Sequence, residues 1–303
     1  MQRTAFQTAA ELSAAIDGLF AEFPVALYYG LDTVAPFPDF QSHDGYEFYY
    51  VWQGCGTYIA GNDACALEAG TLMPIRPRML HKVLQTDAAH PVCRHVLLVR
   101  EDWFRREGLA GVLPEEEGGF RFGAPMIAPK AERDTADFLY RSIHEELERK
   151  PLGFEHAVSG YVKALLALFR RFAAAANADG HAEPAASPHL PPEVVYLLQH
   201  VGSGFQSPLS LSDLAHKVHM NPNYVSQLFH RHTGYTLRQF VAMKRMHHGR
   251  NLLRDTALPV HIVAAECGYN DASHFIRVFR SAYGCTPQAF RAAAAAKQQP
   301  ASL

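Results

Sequence analysis

Two groups of residues in this chain have types and spacings suited to chemistry. The first is His43-x3-Glu47, with Gly45 between them. A spacing of four is even, so a straight strand puts both side chains on one face. The glycine lets that strand bend and bring imidazole to carboxylate. The second group lies on two short segments with helical apolar spacing. Val225, Leu228 and Phe229 mark the inner face of one, leaving Asn223, Ser226 and Gln227 outward; Phe275, Val278 and Phe279 mark the other, leaving Ala272, Ser273, Ile276 and Arg277 outward. Asn and Gln suit bidentate bonding to adenine, and Arg to guanine, with Arg277 the best single candidate for a base contact. Arg231, Lys244, Arg245 and Arg280 read as phosphate clamps or surface charges. His230-x-His232 and His247-His248 lack a carboxylate or cysteine at ligand spacing, which favours exposed positions near phosphate over a metal site. No nucleophile elbow, phosphate loop or zinc-protease motif occurs.

The elements that must position the second group are written twice. Leu211, Leu214, Ala215 and Val218 recur 49 residues later as Val260, Val263, Ala264 and Cys267. After one inserted residue, Val225, Leu228, Phe229, Gly234, Thr236 and Phe240 recur 50 residues later as Phe275, Val278, Phe279, Gly284, Thr286 and Phe290. Such self-similarity is one supersecondary unit used twice. Each copy reads as helix, tight turn, helix, over 209–234 and 260–284. Ser210 or Ser212 can cap the first helix, Pro222 suits the first turn of the second, and Asn270 or Asp271 can cap its counterpart after the Gly268 turn. Two such helices form a helix-turn-helix, whose second member enters the DNA major groove.

Charge separates two parts of the 303-residue chain. Residues 190–291 carry ten Lys and Arg against five Asp and Glu, whereas residues 1–189 carry 17 against 25. A basic domain joined to an acidic one is an electrostatic footprint for phosphates. The five cysteines are scattered without a C-x-x-C pair and read as buried free thiols. No apolar run reaches membrane-spanning length, and the first 20 residues lack a signal-peptide core, so a cytoplasmic, nucleoid-associated protein without a membrane partner is expected.

Residues 8–22 have a helical face of Leu12, Ala15, Ile16, Leu19 and Phe20. From Val25 to Val99, short Val-, Tyr-, Phe- and Leu-rich runs alternate with turn residues, the pattern of an all-β sandwich or barrel, with a hairpin at Gly61-Asn62-Asp63. Trp103 and Phe104 begin a short amphipathic piece, PEEEGG (114–119) is a loop, and FRFGAPMIAP (120–129) can return as a last strand. Two helices follow, 131–149 with Phe138, Ile143 and Leu147 buried, and 154–176. Their short joint predicts an antiparallel hairpin. The domains expected are 1–129, a β-rich domain with its N-terminal helix; 130–177, the hairpin; 178–192, an Ala/Pro-rich linker; 193–291, the helix-turn-helix domain; and 292–303, a disordered tail.

The run V-x-x-V-A-x-x-C-G-Y-N-D-x-S-H-F-x-R-x-F-R-x-x-x-G-C-T-P-x-x-F-R, Val260 to Arg291, resembles the signature of AraC-type (AraC/XylS) transcription regulators. The resemblance implies two helix-turn-helix units joined by a long helix, here Leu237 to Arg254, reading adjacent major grooves of promoter DNA. The outward residues named above match the family's base-contacting positions. Within Phe37 to Val99, His43-x3-Glu47-x6-Gly54 and Gly70-x10-His81, with Pro74 and Pro77 between, resemble the cupin barrel of many such regulators. The fold class expected is therefore α+β multidomain, a cupin-like barrel with flanking helices followed by an all-α domain. The barrel topology implies that His81 joins His43 and Glu47 in an apolar pocket, with Arg76 or Arg78 at its mouth, as the site of a small effector. Sugars are a common effector class in the family, and Tyr46, Tyr49, Tyr58 and Trp52 can stack on one.

The resemblance further implies contact with RNA polymerase and dimerisation through helices such as 130–177, which can equally pack on their own barrel. Residues 1–177 are expected to dimerise and 190–291 to be monomeric. His43, Glu47 and His81 also fit the metal-ligand positions of cupin enzymes, where a further histidine stands two residues before the first. Gln41 occupies that place here, so neither cofactor nor tightly bound metal nor catalysis is expected. The alternatives are a metal-dependent cupin enzyme or metal sensor fused to a DNA-binding domain, and a DNA-architecture protein without an effector.

Overall fold

A computed structural model describes residues 9–33, 39–84, 89–112, 121–178 and 190–298. The chain divides into two units, Met1–His189 and Leu190–Leu303. In the first, helix α1 (Ala9–Glu22) is followed by strands β1 (Val25–Leu31), β2 (Gly45–Gln53), β3 (Gly56–Ala60), β4 (Asp63–Leu67), β5 (Thr71–Ile75), β6 (His81–Leu84) and β7 (Cys93–Arg100). Helix α2 (Glu101–Arg106), the short β8 (Met126–Ile127) and the long helices α3 (Arg133–Arg149) and α4 (Phe154–Ala178) complete it. The strands form two antiparallel sheets, β1-β7-β2-β5-β8 and β4-β3-β6. The β3–β4 register pairs Ala60 with Asp63, so Gly61 and Asn62 make the hairpin turn.

The larger sheet is buried on both faces, and its strands accordingly read as nearly unbroken apolar runs. Phe48, Tyr50, Leu72, Leu97 and Val99 on one face pack against Phe104, Tyr140, Leu165 and Phe169 of the helices. Tyr49, Val51, Met73, Val96 and Leu98 on the other meet Tyr58, Cys65, Leu67 and Val83 of the smaller sheet, with Ile16 and Phe20 of α1 in the same core. Helix α3 buries Ala136, Leu139, Tyr140 and Ile143, an i, i+3, i+4, i+7 set. Phe138, expected inside, is off that stripe and is 49% exposed. The loop at 114–119 and most of the 178–192 segment lie outside the described residues.

The second unit is all helical: α5 (Pro192–Gly204), α6 (Leu211–Lys217), α7 (Pro222–Thr233), α8 (Leu237–Asp255), α9 (Val260–Glu266), α10 (Ala272–Tyr283) and α11 (Pro287–Gln298). Ser210 caps α6, Asn221 caps α7 and Asp271 caps α10 with their side chains. Gly234 and Gly284 end the two equivalent helices at φ 81° and 74°, left-handed geometry that glycine adopts without a Cβ penalty. The disordered tail expected at 292–303 is corrected as far as Gln298, to which α11 continues. Its alanine run is the best helix-forming sequence, extended from a start where Thr286 accepts from Ala289 N–H. Among the described residues, no helix is long and apolar enough to cross a membrane.

Candidate functional site

The cavity between the two sheets is built by strand parity. Along β2, Glu47 and Tyr49 point inward; along β6, His81 and Val83; along β7, Arg94, Val96 and Leu98. Tyr58 of β3, Ile16 of α1 and the chain segment holding Gln41 and His43 close it. β2 begins at Gly45, and His43 lies just before it. A Cβ at Gly45 would stand 2.7 Å from the Phe20 ring, so this turn needs glycine for closeness to α1. Arg78 N–H donates to the His43 carbonyl at 2.8 Å, and Gln41 exchanges backbone hydrogen bonds with His81 at 2.8 and 3.0 Å. Both histidines are therefore delivered by their backbones.

At the centre, His43 Nε2 lies 2.9 Å from Glu47 Oε2, and His81 Nε2 lies 3.4 Å from the same oxygen. Tyr58 donates its hydroxyl to Glu47 Oε1 at 3.1 Å, and His81 Nδ1 lies 2.9 Å from the Met79 carbonyl. His43, Glu47 and His81 are 3%, 4% and 3% exposed. Burial alone pushes the Glu47 carboxyl up, yet the two imidazoles outweigh it and hold it well below the usual carboxylate range. For His81, burial works downward, and the Glu47 charge and the Met79 carbonyl carry it above its ordinary value. Glu47 is thus ionised at neutral pH although buried. Arg94, 1% exposed, adds a fixed positive charge to the same lining, its guanidinium donating to the Thr33 and Val92 carbonyls and lying 5.8 Å from the Tyr49 ring.

Four residues expected at this site stand elsewhere. Tyr46 has the opposite parity to Glu47 and stacks on Phe104 at 4.0 Å, on the helix-covered face. Trp52 shares that parity and is 39% exposed. Arg78 has φ 67° and turns its guanidinium to Glu101 at 2.8 Å. Arg76 is exposed and does not line the cavity. Arg94 and Gln41 are lining residues not expected as contacts. The signal for Arg94 was its even spacing from Val96 and Leu98.

In the helical unit, α7 and α10 bury Val225, Leu228, Phe229, Phe275 and Phe279. Asn223, Gln227, Ser273, Ile276 and Arg277 are exposed, and Ser226 is half-buried. Tyr224, half exposed on α7, is an additional candidate. Arg231 and Arg280 are exposed. Lys244 and Arg245 depart from the expected phosphate clamps. Lys244 is buried, its ammonium over the Phe240 ring. Arg245 donates from Nε to the Phe205 carbonyl at 2.7 Å and from Nη2 to the Ser207 carbonyl at 3.1 Å, and lies 5.5 Å from the Tyr269 ring. A Cβ on Gly268, φ 77°, would come within 2.1 Å of the Gln206 carbonyl oxygen. Arg245 and Gly268 therefore clasp the 205–207 loop against the second helix-turn-helix.

Two family models align with the chain, an AraC-like ligand binding domain over residues 35–166 and a helix-turn-helix domain over residues 214–293. The chain thus joins an AraC-like ligand-binding domain to an AraC-type helix-turn-helix domain. The HTH-type transcriptional regulator YfiF of Bacillus subtilis is 23% identical over 252 residues, 82% of this chain and 77% of the relative. The HTH-type transcriptional activator RhaR of Shigella dysenteriae is 23% identical over 261 residues, 82% of this chain and 86% of the relative. YtdP of Bacillus subtilis, another HTH-type regulator, is 31% identical over 98 residues, and the chain spans only 12% of its length. Most residues of the sheet cavity fall in the ligand-binding match, and α7 and α10 fall in the helix-turn-helix match.

Proposed function

We propose that this chain is an AraC-family transcription regulator that binds promoter DNA through α7 and α10 and responds to a small polar effector in the sheet cavity. One observation carries the reading: two equivalent helices, each locked by a side-chain N-cap and a glycine C-cap, present exposed polar faces of different chemistry. Asn223, Ser226 and Gln227 on one, and Ser273, Ile276 and Arg277 on the other, are the base-reading sets, with Arg231 and Arg280 on phosphates. Lys244 and Arg245 belong to the scaffold instead. One chain should cover two successive major grooves about 10 bp apart, on an asymmetric half-site.

The effector site comprises His43, Glu47 and His81 with Gln41, Tyr49 and Arg94. Hydrogen-bonding groups of both signs beside two tyrosines suit a polyhydroxylated molecule such as a sugar, or a small anion. A regulator is favoured over an enzyme because YfiF and RhaR are both named as regulators. Homodimerisation through the α3–α4 hairpin fits the exposed Phe138 and Leu152, 49% and 108% exposed. The domain limits proposed are 1–129, 130–177 and 193 onward, in a cytoplasmic protein that contacts RNA polymerase when it activates. Randomised-site selection and footprinting with the full chain test the reading. The expected product is an asymmetric motif with two segments about one helical turn apart. Binding without sequence preference would refute it.

A further inference from the structure

We propose that the sheet cavity takes a small organic monocarboxylate as its effector, with the charged head held between Arg94 and Tyr49. The inference rests on the reading of this cavity as the effector site and names the ligand class that it takes. Strand register gives the cavity two ends. Val96 pairs with Tyr28 of β1 and with Tyr49 of β2, so two phenols flank one small side chain in a single row of the sheet. One step along, Leu98 pairs with Glu47; one step the other way, Arg94 pairs with Val51 and Leu31. At about 3.3 Å per residue, each step of two residues is about 6.6 Å, which separates the Glu47 and Arg94 backbones by about 13 Å along the strands.

The two ends differ in what they leave unmet. At the first, Glu47 is the one carboxylate among the described lining residues, and the protein itself occupies both of its oxygens: Oε1 accepts from Tyr58, and Oε2 lies 2.9 Å from His43 Nε2. At the second, the Tyr49 hydroxyl is buried in the cavity wall without a hydrogen-bond partner. Burial keeps the proton on this phenol, and of the two charges that act on it Arg94's outweighs Glu47's. The hydroxyl is thus a donor in a positive field. Arg94 is positioned by its Nη1 bonds to the Thr33 and Val92 carbonyls, and a guanidinium does not lose its proton in proteins. A phenol and a guanidinium in one buried site are the donors that an oxyanion needs. Between the ends, Ile16, Val83, Val96 and Leu98 offer no hydrogen bonds. That lining suits a short hydrocarbon body. A neutral sugar would lay hydroxyls against it, and a dianionic phosphate would find too few donors at the Arg94 end.

The probes are the straight-chain monocarboxylates from acetate to octanoate, each beside its primary amide, with glucose as a neutral sugar. Titration calorimetry on the full chain should show one carboxylate bound per chain, with its amide at least about 30-fold weaker, the loss expected when a charge-assisted hydrogen bond goes. Arg94→Gln should weaken the carboxylate by a similar factor while leaving the amide's affinity unchanged, a difference that a merely structural role would not produce. Tyr49→Phe should weaken the carboxylate about 10-fold. It should not lower the unfolding midpoint of the unliganded protein, because it removes a hydroxyl that has no partner there. Should Arg94→Gln not fold, Tyr49→Phe carries the test. Failure of every carboxylate to bind at millimolar concentration overturns the proposal. So does an amide or glucose that binds as tightly as the best carboxylate, and so does carboxylate affinity unchanged in Tyr49→Phe and in folded Arg94→Gln. Affinity for selected DNA is measured with and without the best carboxylate. Binding that leaves DNA affinity unchanged removes the effector reading and keeps the ligand class. Glucose binding with every carboxylate silent removes the ligand class and keeps the effector reading.

Discussion

Replacing Arg245 with alanine distinguishes a scaffold residue from a phosphate clamp. The substitution removes two hydrogen bonds from a charged donor and one cation–π interaction. The bond to Phe205 is part-buried and is worth about 1.5 kcal/mol; the exposed bond to Ser207 is worth less than about 1 kcal/mol. The Tyr269 ring adds about 0.5–1 kcal/mol. Together they predict a loss of about 2–3 kcal/mol from the helical unit, a fall on the order of 10 °C or more in its unfolding midpoint for a unit of this size. Both tryptophans, Trp52 and Trp103, lie in the first unit. Tryptophan fluorescence should therefore melt as in the wild type while the far-UV signal acquires an earlier transition. At temperatures where Arg245→Ala is folded, the slope of log affinity for DNA against log salt should be unchanged. A phosphate clamp behaves in the opposite way: the melt stays, and the slope drops by about 0.9 for each phosphate no longer neutralised. That second pattern would refute the placement of Arg245 as an internal clasp.

Other substitutions separate the remaining roles. Arg277→Ala should cost about 1–3 kcal/mol in DNA affinity and relax one base position in a site selection, with no change in the melt. Gly268→Ala should destabilise the helical unit by more than about 1 kcal/mol, seen in urea unfolding, because the new Cβ meets the Gln206 carbonyl and φ 77° disfavours any side chain. His95 sets an acid limit for the first unit. Burial first, and then the neighbouring His144, depress it from 6.5 to about 4, and its Nδ1 accepts from Gly30 N–H at 2.9 Å. The unfolded chain takes up this proton at higher pH than the folded one. Stability from this group is thus complete above about pH 6.5 and lost as pH falls toward 4, by about 3 kcal/mol. Urea unfolding of the wild type against His95→Asn at pH 7, 5.5 and 4 should show the variant losing less.

The helical unit was far more legible than the sheet cavity, for a physical reason. A helix-turn-helix writes its geometry into adjacent residues: the caps at Ser210, Asn221 and Asp271, the glycines at 234, 268 and 284, and an apolar stripe on each helix. Outward residues follow by subtraction, and Asn223, Gln227, Ser273 and Arg277 are all exposed. That subtraction fails where polar side chains turn inward. Lys244 and Arg245 look like any other basic pair on a helix, and only the fold shows an aromatic ring under one and backbone carbonyls in reach of the other.

In the larger sheet the difficulty is different. A strand covered on both faces has no polar side by which to fix its phase, so GYEFYYVWQ reads equally well either way round. The carboxylate of Glu47 resolves it: once Glu47 faces the cavity, Tyr49 must join it, and Tyr46 and Trp52 must face the other way. Extending the same parity along β7 from Val96 brings Arg94 to the cavity and sends His95 to the opposite face, where it meets Tyr29 and Tyr50. A buried charge on an otherwise apolar strand costs stability unless something uses it, and here three strands and one preceding loop each contribute a charged or ring-nitrogen group to the same enclosed space. Packing alone would select leucine or valine at Glu47, His81 and Arg94, as it does at their neighbours Val51, Val83 and Val96. Their convergence on one cavity is therefore an argument for ligand chemistry that rests on their cost to the fold.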